Sequence, residues 1–199
     1  MGSFISIGLI YSKRTEERFK NELDILVRYL VSKDGILKKI KMSKDIDGEE
    51  WIEYTPNNNL EISESLNLIA KYYYGQVNVV CTFLGFSDLE VAVRIEKEKD
   101  YFGFLLDISE ADVIKTHNVE VINRVTDQII NFIIDLYSVS GFDYAFCDNE
   151  AEIQYAPDEF CTLENDMYSI IVIPSFGEQD KALNVFKNNW HIDGLTARN

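Results

Sequence analysis

The sequence predicts an α+β fold, a single domain with a mixed or antiparallel sheet of about six to eight strands packed by three main helices. Three observations predict it. A strand-helix-strand unit opens the chain; strands with connectors too short for crossovers follow; and a long amphipathic helix precedes the last strands. At 199 residues, 46% hydrophobic and 13% aromatic, the chain can bury a core of its own. It reads as one domain, 1–199, divisible into pseudo-halves 1–110 and 111–199.

Residues 4–11 (FISIGLIY) are apolar on both faces, as an interior strand requires. Thr15-Glu16-Glu17-Arg18 opens a helix whose Phe19, Leu23, Leu26, Val27 and Leu30 share a face, and Asp34-Gly35 closes it. From Ile36 to Met42 apolar residues alternate with lysine, which predicts a strand with one wet face. Trp51–Thr55 is a short strand, and Leu60–Tyr74 a second helix ended by Gly75. Segments 77–84, 89–96 and 101–106 read as a meander, in which Arg94 and Glu96 mark an exposed side.

The longest helix follows. Ile122, Val125, Ile129, Phe132, Ile133 and Leu136 recur at spacings of 3, 4 and 7, with Asn118 as its cap and Ser140-Gly141 as its end. Ile130, Ile134 and Tyr137 widen the stripe, so the helix should lie across a sheet. Phe142–Cys147 and Met167–Ile173 are the closing strands, and Leu183–Trp190 is a short helix. Gly75 and Gly141, like Cys81 and Cys147, stand 66 residues apart, which fits a repeated helix-to-strand unit but more readily chance, since helix-Gly-strand is common punctuation.

Charge is the strongest signal. From Val125 to Asp180 there are twelve carboxylates and no Lys or Arg, so this segment carries -12 of the net -15. Residues 1–44 hold ten bases against five acids, enough to dock internally against the acidic half. Unneutralised like charge destabilises a compact state and persists more easily where a cationic partner uses it. The same charge excludes nucleic acid and anionic membranes as direct partners, since both are polyanions. A basic protein is the matching target. The bland reading of such a run is a solvated acidic face.

The residues assigned to partner binding are Asp143, Tyr144, Asp148, Glu150, Glu152, Tyr155, Asp158, Glu159, Glu164 and Asp166. Carboxylates can steer and register a basic protein while interleaved aromatics supply buried anchors. The aromatics serve equally well as core. Asp148, Glu150 and Glu152 are spaced by two and would share a face of an extended segment, so a metal-dependent hydrolase using them with His117 or His191 is a rival reading. The calcium-loop glycine is missing, and no HExxH, GxSxG, GxxxxGK[ST] or GxGxxG occurs, so no cofactor is expected. A self-associating adaptor is the other alternative, with the oligomeric state open.

Three cysteines, at 81, 147 and 161, lack paired spacing and fit free thiols in a reducing cytoplasm. Neither a signal peptide nor a membrane-length apolar run is expected. Met1-Gly2-Ser3-Phe4-Ile5-Ser6 has the form of a myristoylation signal, but its apolar residues read as the first strand.

A domain of this size, acidic and without catalytic motifs, with a dense carboxylate-aromatic segment and a WHIDG tail at 190–194, resembles the bacterial polymorphic-toxin immunity proteins. The resemblance covers the general plan of the chain and carries over no single residue. It implies a non-enzymatic protein that neutralises a cognate toxin domain, often a nuclease, by tight one-to-one binding in the cytoplasm of the producing cell.

Overall fold

The first strand in sequence lies inside the sheet. The computed structural model describes residues 3–12, 15–32, 34–56, 59–116, 118–175 and 182–190, with nine strands in one sheet ordered β3-β2-β4-β5-β6-β1-β7-β8-β9. β1 (Phe4–Ser12) lies between β6 (Tyr101–Ser109) and β7 (Tyr144–Asn149), and seven of its nine residues are buried, as an apolar run on both faces demands. β2 (Ile36–Ser43), β3 (Trp51–Tyr54), β4 (Tyr74–Phe83) and β5 (Phe86–Lys97) extend the sheet on one side. β8 (Ile170–Pro174) and β9 (Leu183–Lys187) extend it on the other. All neighbours pair antiparallel.

Nine strands correct the expected six to eight, and the extra one is β9. Leu183, Phe186 and Trp190 stand 3 and 4 apart like one face of a helix, but five residues are too few to separate the two periods. Pairing with β8 decides it, from Ile170↔Lys187 to Pro174↔Leu183.

Three main helices, α1 (Glu16–Val31), α2 (Asn59–Ile69) and α4 (Val119–Tyr137), share a core with one face of the sheet, while α3 (Glu110–Val113) and α5 (Pro157–Phe160) are single turns. Thr15 caps α1 by accepting from the Arg18 amide, and Asn118 caps α4 by accepting from Val121 at 2.8 Å. Alternate strand residues such as Ile5, Ile7, Leu9, Val91, Val93, Phe104 and Leu106 meet Leu23, Leu26, Ile129 and Ile133. Each such side chain contributes about 1.5–3 kcal/mol by leaving water.

Two helix ends differ from expectation. α2 stops at Ile69, and Gly75 lies inside β4 beneath that residue, where a Cβ would fall 2.8 Å from Ile69 Cγ2. α4 stops at Tyr137, where Ser138 Oγ donates to the Asp135 carbonyl, and no atom lies within 4 Å of where a Gly141 Cβ would be. The two glycines of the suspected repeat therefore occupy different settings.

Candidate functional site

The acidic segment lies over the sheet's second face, opposite the helices. β7 turns Tyr144 and Phe146 toward this face, and the chain then leaves the sheet at Asn149. Glu150 adopts a left-handed conformation (φ 50°), so the backbone doubles back across β1 and β6. Two glycines make room for it. A Cβ on Gly8 would fall 2.3 Å from Phe146 Cε1, and one on Gly103 would fall 2.4 Å from Ile153 Cδ1.

Aromatic stacking pins the segment down. Tyr144 and Phe160 stack at 3.9 Å with an interplanar angle of 2°, and Phe146 stacks on Tyr168 at 4.1 Å. The Tyr144 hydroxyl donates to the Tyr155 carbonyl at 2.7 Å, and that of Tyr168 to the Glu152 carbonyl at 3.3 Å. Burial raises both phenol pKa values, Tyr168 to about 12. At the far end Ser169 Oγ donates to buried Asp148 at 2.7 Å, and the Asn188 amide donates to the Asn165 and Tyr168 carbonyls.

Arg94 ties the segment to the open half of the same face. Its Nε donates to Asp107 at 2.5 Å and its Nη1 to both Glu152 oxygens at 3.0 Å. Burial alone would lower the guanidinium pKa, but the two carboxylates outweigh it and the net shift is upward. Sequence reasoning marked Arg94 as exposed and missed this role, which depends on a contact between residues 58 positions apart.

The ten assigned residues fall into distinct settings. Asp143 is half-buried and accepts from the Ser12 amide (2.7 Å) and hydroxyl (3.0 Å), with Arg18 3.6 Å away. Tyr144 and Asp148 are buried, and Tyr155 is half-buried. Glu152 is held by Arg94, and Glu159 accepts from the Ala156 amide at the start of α5. Glu150, Asp158, Glu164 and Asp166 are exposed and, among the described residues, carry no ion pair. The outward set is thus Glu150, Glu152, Asp158, Glu159, Glu164 and Asp166.

Among the described residues, internal neutralisation by the basic first 44 is slight. Arg18 reaches Asp143, but Lys20, Arg28, Lys39 and Lys41 pair locally with Glu16, Asp24 and Glu53.

The spacing of Asp148, Glu150 and Glu152 does not bring them to one face, because the strand ends before Glu150 and leaves Asp148 inside. Among the described residues no three His, Cys, Asp or Glu side chains gather closely enough to hold a metal ion. His117, His191 and the rest of the tail after Trp190 lie outside the described residues. Trp190 is buried, and its indole donates to Thr126 at 3.0 Å. Among the described residues no helix is long and apolar enough to cross a membrane.

A sheet backed by helices and faced by a pinned segment thus presents a row of outward carboxylates. The chain belongs to the Immunity protein 64 family, whose model matches residues 1–198, and so to the immunity proteins of toxin systems. No curated protein matches it. Among solved structures, the Pseudomonas aeruginosa T6SS protein PA0821 is similar at a TM-score of 0.38 and 9% identity. That match covers 74% of this chain and 41% of the other, too slight a likeness to bear on fold or function.

Proposed function

We propose that this immunity protein neutralises a basic toxin domain, of which a nuclease is the natural example, without enzymatic action, by laying the outer surface of residues 150–166 over the toxin's cationic site. The observation that carries the reading is the set of exposed carboxylates on a segment whose aromatic underside is locked to the sheet. Fixed charges steer encounter over a distance, and a surface rigid before contact loses little entropy on binding. Glu150, Asp158, Glu164 and Asp166 provide steering, with Glu152, Glu159 and Tyr155 beside them. Asp143, Tyr144 and Asp148 hold the surface from within. The setting is the cytoplasm of the toxin-producing cell.

The test is stopped-flow association with the cognate toxin domain across a salt series. Glu150→Lys, Asp158→Lys and Glu164→Lys together should slow association by about tenfold or more at low salt and flatten its salt dependence. Far-UV circular dichroism and Tm should stay unchanged, because none of the three has an ion-pair partner among the described residues. An unaltered association rate would refute the assignment.

A further inference from the structure

The open half of the second face carries a feature that the acidic segment does not explain. Trp51 of β3 pairs with Ser43 of β2, and Ser43 pairs with Tyr74 of β4, so the three side chains form one row across three strands. Ser43 is fully buried, whereas Trp51 and Tyr74 are 46% and 41% exposed. The two rings line a cleft of about 350 Å³ together with Asp47, Arg94 and Glu96.

Local bonds fix the rings and their surroundings. The Trp51 indole donates to the Gly48 carbonyl at 2.7 Å, and a Gly48 Cβ would stand 3.8 Å from the Tyr74 ring. The loop between β2 and β3 is tied by Asp45, which accepts from the Glu49 and Glu50 amides at 2.9 and 2.7 Å. Among the described residues Lys39 and Lys41 face Glu53, and Arg94 faces Asp107 and Glu152 closely and Glu96 more loosely, at 4.0 Å. Exposed aromatic faces beside carboxylates attract a desolvated cation through both the ring quadrupole and the charge.

We infer that this cleft receives one lysine or arginine side chain of the same basic partner, seated against Trp51 and Tyr74 and matched by Asp47 and Glu96. The inference rests on the partner being basic, as proposed above. Charge complementarity selects that occupant. The position agrees, because Arg94 lines the cleft and also grips Glu152, so one partner can span cleft and acidic segment together.

A seated side chain governs how slowly a complex separates, whereas rim charges govern how fast it forms. The experiment is therefore kinetic, with the full chain and the cognate toxin domain. Trp51→Ala and Tyr74→Ala should each raise the dissociation rate by about 3- to 30-fold with little change in association. Glu96→Gln should raise it less. Trp51→Phe and Tyr74→Phe, which keep a ring, should stay near the parent and so separate a lost contact from a damaged fold. Trp51 emission should also shift on binding, since buried Trp190 is shielded.

Unchanged dissociation for both alanine variants, with association still slowed by the carboxylate reversals, overturns the cleft and leaves the segment reading intact. Raised dissociation with no effect of the reversals supports the cleft and removes the segment. If neither set has an effect, or no complex forms, both fall. Loss of a self-associated species in light scattering, with toxin kinetics unaltered, would assign the cleft to a second copy of this chain and overturn the inference.

Discussion

Replacing Phe160 by alanine would show whether the acidic segment is truly pinned. The ring is 2% exposed, lies 3.9 Å above Tyr144 in a near-parallel stack, and is the buried side chain of a single-turn helix. Losing a buried phenylalanine costs about 3–5 kcal/mol, and a stack this close places the loss high in that range. Covalent connection to the sheet is not lost, so the loss should first open the segment rather than unfold the chain. The amides of Phe160, Cys161, Thr162 and Leu163, bonded to Ala156, Pro157, Glu159 and Phe160 carbonyls, should lose protection by about a hundredfold or more. Amides in β6 should keep theirs. Hydrogen exchange read by mass spectrometry would check this. Equal loss in both regions, or no loss in either, would refute the separation of a pinned segment from the main core.

Two further outcomes follow from the buried groups. Burial raises the Cys81 thiol pKa to about 11 and the Tyr168 phenol to about 12, both above their unfolded values of 9.0 and 10.0. A folded pKa above the unfolded one means stability is intact at neutral pH and drains away as pH rises between those values. Urea midpoints should therefore be flat to about pH 9 and then fall, and Tyr168→Phe should lessen the fall above pH 10. Arg94→Gln should destabilise the chain by about 1–3 kcal/mol, because mostly buried Asp107 loses its charged partner, and adding Asp107→Asn should recover part of that in urea unfolding.

Most of the fold was legible in the sequence because most elements are stabilised by the same periodicity that announces them. The helices at Thr15 and Asn118 start where their caps stand, and the apolar run at residues 4–11 does form an interior strand, paired on both sides. β9 was misread because three apolar residues satisfy a helical spacing while strand pairing to β8 overrides it. The site was legible as charge but not as geometry. Tyr144 and Phe160 gave equal weight to core and interface, and nothing local could show that they stack face to face 16 positions apart. The period-2 spacing through Asp148, Glu150 and Glu152 was real, but it presumed a strand that ends at Asn149. Trp51 and Tyr74 remained invisible as a pair, since Ser43 joins them through hydrogen-bonded strands rather than through sequence.

The placement of β1 has a consequence for biosynthesis. FISIGLIY leaves the ribosome well before either of its neighbours, residues 101–109 and 144–149. Pairings this distant in the chain form slowly, and until they form an apolar strand with two bare edges stays available for wrong partners. The finished sheet should thus appear only after β7 has been made, and a chaperone that shields this strand as it emerges should raise the yield of folded chain.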